Sequence, residues 1–97
     1  MIATIIRTDG TQSDVALADE SPAMRRAIVQ LIGADAGLDT VNLRDGRFMY
    51  VDDLGHSRNL PVNPEATRMY WAVCIPGTTH EIRGDVVIVG DRGERRN

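Results

Sequence analysis

Apolar and polar positions alternate near the N-terminus in a pattern typical of a buried strand. The β-branched residues of segment 2–6 fall on both faces of an extended chain. Asp9 and Gly10 follow this segment and favour a tight turn. With a two-residue loop, Val15 would lie opposite Thr4. The pattern therefore predicts an N-terminal hairpin.

A second alternating pattern covers residues 38–51 and is interrupted by Asp45 and Gly46. A two-residue turn at that point predicts a core face made of Val41, Leu43, Phe48 and Tyr50. The opposite face would carry Thr40, Asn42, Arg44, Arg47, Met49 and Val51. Because this second face is half apolar, we expect a helix or a second chain to cover part of it.

Two segments have the apolar period of a helix. Ser21 and Pro22 favour a helix start, since serine caps free N–H groups and proline needs none at the first helical position. The stripe that follows consists of Met24, Ala27, Ile28, Leu31 and Ile32, and the helix would end at Gly33 or Gly37. Asn63-Pro64 repeats the start signal for a second helix, whose stripe is Ala66, Met69, Tyr70 and Val73 and which Pro76-Gly77 would end.

The remaining segments complete a fold prediction. Residues 86–89 form a continuous apolar run, which is typical of a central strand, whereas Pro61 restricts residues 58–62 to an edge or a connection. The sequence predicts the α+β class: a single small domain over residues 1–90, with a mixed or antiparallel sheet of four to five strands and two helices. Residues 91–97 would form a mobile polar tail.

Composition narrows the classes of partner. The chain has 97 residues with 42% hydrophobic and 26% charged residues, which is typical of one globular domain. Eleven basic against 14 acidic residues give a net charge of −3, which disfavours direct nucleic-acid binding. Cys74 is the single cysteine and no apolar run is long enough to span a membrane, so we expect a cytoplasmic protein without a disulfide.

The residues that could carry catalysis or hold a metal do not form a recognised motif. Cys74 with His56 or His80 would make a nucleophile and base, but Cys74 follows an apolar helical segment where an inert buried thiol is more common. Asp52, Asp53 and His56 offer metal ligands, yet the paired spacing of a metal site is missing, and the two aspartates fit a turn. We therefore expect neither enzymatic activity nor a cofactor or metal.

The candidate binding residues are aromatic, cationic or apolar side chains outside the predicted core. Trp71 lies about 100° around the second helix from Tyr70 on the apolar stripe, and Arg68 lies one turn before Trp71. Tryptophan and arginine are enriched at interfaces. The candidate set is Trp71, Arg68, His80, Arg47 and Met49. For each, the alternative is a structural role: core packing for Trp71, a solvated charge for Arg68 and an exposed loop position for His80.

Three segments resemble one family. These are GRFMYVDD at 46–53, LPVNPEAT at 60–67 and IRGDVVIVG at 82–90. In their order and spacing they resemble the phage and plasmid proteins classed as domain of unknown function 3846, over a region from the first helix to Gly90. The resemblance implies an accessory protein of a phage or mobile element in a host cell cytoplasm, and it brings no catalytic residues.

Together these observations predict a non-enzymatic accessory protein that binds a host protein or a small nucleotide-like signalling molecule, for host interaction or immune evasion. The alternatives are a small Cys/His-dependent hydrolase or transferase and a structural or DNA-associated accessory protein. We also expect a homodimer, because the 38–51 hairpin has apolar residues on both faces and Trp71 lies off its helix's stripe. Coverage of that surplus by the N-terminal hairpin of the same chain is the alternative.

Overall fold

A computed structural model describes residues 1–19, 21–34 and 37–90 of the chain. Its elements are β1 (Ile2–Ile6), β2 (Gln12–Ala16), α1 (Ser21–Ile32), β3 (Leu38–Asn42), β4 (Arg47–Asp52), α2 (Pro64–Trp71) and β5 (Val86–Gly90). The predicted tail at 91–97 lies outside the described residues. Within the described parts of the chain, no helix is long and apolar enough to cross a membrane.

The five strands form one sheet in the order β2-β1-β5-β4-β3, and every neighbouring pair is antiparallel. The structure thus confirms the predicted α+β class, with two helices and a five-stranded antiparallel sheet. β5 lies at the centre of the sheet, and Val86, Val87, Ile88 and Val89 are all buried. The apolar run of β5 is continuous because both faces of this strand are buried, each against a different helix.

Each face of the sheet has its own core. On one face, Ile5 and Val87 pack with the α1 residues Met24, Ile28 and Ile32. On the other face, the buried residues are Ile6, Leu43, Met49, Val51, Ala66, Ile82, Val86 and Ile88, with Met69 and Tyr70 of α2 packed against them. Helices of the same chain therefore cover apolar residues on both faces of the 38–51 hairpin. The N-terminal hairpin does not provide this cover.

Both hairpins differ by one residue from the predicted register. Thr4 pairs with Asp14 rather than Val15, and Val41 pairs with Met49 rather than Tyr50. The last backbone hydrogen bonds of the two hairpins join Arg7 to Thr11 and Leu43 to Arg47. Each loop therefore contains three residues, 8–10 in the first hairpin and 44–46 in the second. In each loop the third residue is a glycine with a positive φ, 91° at Gly10 and 92° at Gly46. The first loop is the three-residue type in which a turn is followed by one residue of positive φ, and Asp-Gly suits it as well as it suits the two-residue type. In the second loop the first residue, Arg44, also has a positive φ, of 67°.

The shifted register also changes which residues share a face. Val41 and Leu43 pack in the α2-side core, whereas Tyr50 packs against the α1-side core. Phe48 is half-buried and pairs with Val89. The predicted core face made of these four residues is therefore wrong. Met49, which was placed on the opposite and partly exposed face, is fully buried.

α1 has the predicted start and ends one residue before Gly33. α2 has the predicted start at Pro64 but ends at Trp71, before the predicted stop. After that residue the backbone tightens, because the N–H groups of Val73 and Cys74 donate to the carbonyl groups three residues earlier.

Buried polar contacts attach α2 to the sheet. The Asn63 side chain caps the helix by accepting from the Ala66 N–H at 3.1 Å. The Thr67 hydroxyl accepts from the Ile82 N–H at 2.9 Å, and the Asn63 N–H donates to the Ile82 carbonyl at 2.8 Å. The first turn of α2 is thereby fixed to the segment that leads into β5.

Candidate functional site

A groove of about 460 Å³ lies between α2 and the part of the sheet that α2 leaves open. Its floor is formed by Ile2 and Thr4 of β1 and by Ile88 of β5. The opposite wall includes Met69 of α2 and Ala72, the residue that follows α2. We call this the α2 groove. Its lining consists of Ile2, Ala3, Thr4, Ile6, Gln12, Leu43, Asp45, Arg47, Glu65, Arg68, Met69, Ala72, Val73, Ile88 and Gly90. The groove exists because α2 has only eight residues and covers just part of this face.

Ile2 is the most unusual residue of the floor. The residue is 66% exposed, although it lies on a strand that is hydrogen-bonded on both sides. A β-branched side chain in this position gives the groove an apolar surface that solvent reaches.

Two ion pairs line the groove and give it a polar rim. The Arg47 guanidinium donates from Nε and Nη2 to the Asp45 carboxylate, at 3.0 and 2.8 Å from Oδ2. The Arg68 guanidinium donates from Nε to Glu65 Oε1 at 3.0 Å and from Nη2 to Glu65 Oε2. Both pairs are bidentate, and their partners are two and three residues apart in the sequence. The two hydrogen bonds of each pair fix the direction of the guanidinium.

The ion pairs shift the titration of their acids. The hydrogen bonds from Arg47 lower the pKa of Asp45 below its ordinary 3.8, and those from Arg68 lower the pKa of Glu65 below its ordinary 4.5. In return, Glu65 raises the pKa of Arg68. Each pair therefore stays ionised at neutral pH, and each contributes one positive and one negative charge to the rim of the groove.

The predicted binding residues separate into three places. Arg47 and Arg68 both line the α2 groove, although they come from different elements. Trp71 is 43% exposed and its Nε1 donates to the carbonyl of His80 at 2.7 Å, so these two residues form a pair outside the groove lining. Met49 is fully buried in the α2-side core and therefore offers no surface for a ligand.

The two histidines stack on each other with ring centroids 4.4 Å apart. His56 Nε2 lies 2.6 Å from the Glu81 carbonyl oxygen and is therefore the protonated nitrogen, because a carbonyl only accepts. Tyr70 meets the His80 ring edge-on at 5.9 Å. These residues line a second cavity of about 260 Å³, together with Asp39, Asp53, Glu81 and Arg83.

Cys74 is adjacent to Tyr70. The thiol, together with burial and the negative charge of Asp39, raises the pKa of the Tyr70 phenol above its ordinary value of 10.0. The thiol thus has a phenol as neighbour, and the His56 imidazole is hydrogen-bonded elsewhere. A nucleophile activated by an imidazole needs a direct hydrogen bond between the two groups, and no such bond joins Cys74 to a histidine among the described residues.

Asp52 has the turn role that the sequence favoured. Its carboxylate accepts from the Leu54 N–H at 2.8 Å and pairs with Arg58, and its side chain is 1% exposed. Among the described residues, no group of three or more histidine, cysteine or acidic side chains is arranged to hold a metal ion.

Sequence reasoning missed the exposed floor of the groove and the acids on its rim. Ile2 was assigned to a buried strand, and nothing in its alternation shows that α2 leaves it uncovered. Glu65 lies three residues before Arg68, and that spacing is a recognisable signal for an ion pair on a helix. Asp45 was assigned only to the turn of the 38–51 hairpin, and its ion pair with Arg47 was not predicted.

Comparison with known proteins gives no match: no family model, no curated protein and no solved structure is similar to this chain at a significant level.

Proposed function

We propose that this chain is a non-enzymatic binding protein that holds a segment of a partner protein in the α2 groove. The observation that carries the proposal is the combination of an exposed apolar floor at Ile2 with a rim of two ion pairs. An apolar centre surrounded by polar and charged groups is the usual anatomy of a protein interface.

The composition of the groove favours a protein segment over a nucleotide-like ligand. The lining described for it contains no phenylalanine, tyrosine, tryptophan or histidine. A nucleobase is usually held by stacking on such a ring. Apolar side chains of a peptide need no stacking partner and gain free energy simply by covering Ile2, Met69 and Ala72.

The charged residues at the rim of the groove indicate which polar group the partner segment carries. The Nε and Nη2 atoms of Arg68 donate to Glu65. Because a guanidinium has five N–H donors, one edge of the Arg68 guanidinium remains for a second acceptor. We propose that a carboxylate of the partner binds at that edge, next to apolar side chains on the floor.

For the biological setting, we propose a phage or mobile-element accessory protein that acts on a host protein, as in immune evasion. This part rests on the sequence resemblance of residues 46–53, 60–67 and 82–90. The contacts of Cys74 and His56 give the hydrolase alternative no support, and the net charge of −3 gives none to direct DNA binding.

The test uses a random peptide library displayed on yeast and selected on the immobilised full chain. The enriched peptides are synthesised, and their affinities are measured by fluorescence polarisation. We expect apolar peptides with an acidic residue, and we expect Ile2→Glu and Arg68→Ala each to weaken binding at least about tenfold.

Ile75→Glu is the matched control, because Ile75 is 82% exposed and lies outside the groove lining. The proposal requires that this variant bind like the wild type. It fails if no peptide is enriched, or if the enriched peptides bind Ile2→Glu as tightly as they bind the wild type.

A further inference from the structure

The two edge strands of the sheet are β2 and β3, and their outer backbone groups differ. In an antiparallel ladder, alternate residues direct their N–H and C=O groups to the neighbouring strand, and the others direct them outward. The bonds between Arg7 and Thr11 and between Met1 and Leu17 set this phase for β2. Ser13 and Val15 therefore bond to β1, and the backbone groups of Gln12, Asp14 and Ala16 point away from the sheet.

On β3 the outward groups belong to Leu38, Thr40 and Asn42, as the bond from the Leu43 N–H to the Arg47 carbonyl shows. The central outward N–H of this strand is occupied, because Thr40 N donates to the carboxylate of Asp39 at 2.9 Å. No described residue occupies the outward N–H groups of β2 in this way.

We propose that two copies of this chain pair through β2, antiparallel and with the two-fold axis at Val15. In this register Asp14 of one copy lies opposite Ala16 of the other, and their outward groups form the new ladder bonds. A register centred on Asp14 would place two carboxylates directly opposite each other, which is destabilising. A register centred on Ser13 would give up the contact between the two valines.

The side-chain environment of Val15 fits a second copy. A cleft of about 260 Å³ lies beside β2 and is lined by Val15, Ala16, Leu17, Ala27, Gln30 and Leu31. Val15, Ala27 and Leu31 are only partly buried, and they pack at the margin of the α1-side core. Val15 of the second copy would lie against this margin. Because the contact is two-fold symmetric, each copy covers the corresponding apolar patch of the other.

The charge pattern of β2 permits pairing with a second copy. Asp14 is the single charged residue of β2, and the proposed register places a small uncharged residue opposite it. In this register no two carboxylates lie directly opposite each other. This dimer replaces the one that the sequence suggested at the 38–51 hairpin, where helices of the same chain cover both faces.

The proposal predicts a particular disulfide. The Val15 residues of the two copies would form a non-hydrogen-bonded pair, for which the Cα atoms are about 4.5 Å apart, within the range a disulfide spans. In a Cys74→Ser background, Val15→Cys is expected to give a covalent dimer under mild oxidation. Ser13→Cys is the matched control and is expected to stay monomeric on a non-reducing gel.

The unmodified chain is measured by sedimentation at micromolar concentration, where we expect twice the 10.7 kDa mass of one chain. Ala16→Pro removes an outward N–H and no bond to β1, so it should give monomers that keep the wild-type circular dichroism spectrum. Thr40→Pro makes the same change on the other edge and should stay dimeric.

Several outcomes would overturn the proposal: a wild-type chain that is monomeric, a dimer that Ala16→Pro leaves intact, or cross-linking of Ser13→Cys in place of Val15→Cys. The α2 groove is tested separately, because Ile2→Glu alters peptide binding and is expected to leave the mass unchanged.

Discussion

The buried amide of Asn63 holds three segments of the chain together. Its Nδ2 donates to the carbonyl groups of Ile6 and Gly84, each at 3.0 Å, and its Oδ1 accepts from the Ala66 N–H. The residue is fully buried. One side chain thus joins the end of β1, the start of α2 and the segment that leads into β5.

Asn63→Ala is expected to cost about 2 to 4 kcal/mol of unfolding free energy, because it removes a helix cap and leaves buried carbonyl groups without a donor. Urea denaturation measures this. Asn42→Ala is the control, since Asn42 is exposed and accepts only locally from the Arg44 N–H, and it should cost less than about 1 kcal/mol. Equal costs for the two variants would contradict the role of Asn63.

The ion pair of Asp45 and Arg47 gives a prediction about pH. Because the pKa of Asp45 is lowered in the folded chain, its stabilising effect is present above the ordinary value of 3.8 and is lost as the pH falls through the lowered value. Arg47→Gln should return the pKa of Asp45 toward 3.8 in an NMR titration of the carboxyl carbons. The pKa of Asp9 is lowered mainly by Thr11 and should not change, which makes it the internal control.

At the scale of single residues, sequence reasoning identified side chains but not their neighbours. The angular position of Trp71 on its helix indicated that it lies off the apolar stripe, and the side chain is 43% exposed. Its bond to the His80 carbonyl depends on the path of a loop that no local pattern specifies. For the same reason, no sequence pattern indicated that Arg47 and Arg68 would line one groove.

At the scale of elements, the three-residue loops determine the register of both hairpins. In the first loop, the Gly10 N–H donates to the Arg7 carbonyl at 2.9 Å, and Gly10 has a φ of 91°. Asp9 fixes the same loop by accepting from the N–H and the hydroxyl of Thr11. The conformation therefore requires a residue that tolerates positive φ at the third position.

Gly10→Ala should cost about 1 to 2 kcal/mol, because alanine is strained at positive φ. An added Cβ at Gly10 would meet no atom within 4 Å, so the cost is one of backbone conformation alone. Gly37→Ala is the matched control: its Cβ would also meet open space, and its φ is outside the positive region. Thermal denaturation of the two variants should show a lower melting temperature for Gly10→Ala only.

The register of the second hairpin can be tested through its core. Met49→Ala should cost about 2 to 5 kcal/mol, because Met49 is fully buried. Phe48→Ala should cost less, since Phe48 is only half-buried, despite its larger side chain. A larger loss for Phe48→Ala in urea denaturation would instead support the two-residue turn.

The types of the elements along the chain could be predicted from local signals, such as proline after a capping residue or a continuous apolar run, but the order of the strands within the sheet could not. The register of the hairpins could not be predicted, because Asp-Gly suits loops of two residues and loops of three residues. Both faces of β4 also carry apolar residues, so a shift of one residue leaves an apolar face in either case. Such a strand gives no pattern by which the correct face can be chosen.

At the scale of the whole molecule, two separate cores share one sheet, and we expect neither to need a metal or a disulfide. Cys74 is the only cysteine, and no described group of residues is arranged as a metal site. EDTA and a reductant should each leave the melting temperature within about 2 °C of the untreated value, which is less than about 1 kcal/mol for a domain of this size. A larger shift would reveal a bound metal or a cross-link.

The pairing of β1 with β5 has a consequence for how the chain acquires its fold. Residues 4–6 pair with residues 86–88, so the centre of the sheet joins segments from opposite ends of the described chain. Contacts of such long sequence separation slow folding, because a large loop must close before they form. During synthesis on a ribosome, the two hairpins would emerge first and would lack the strand that lies between them. We therefore expect the sheet to assemble only after the segment of β5 has left the exit tunnel, with both hairpins exposing a free edge until then.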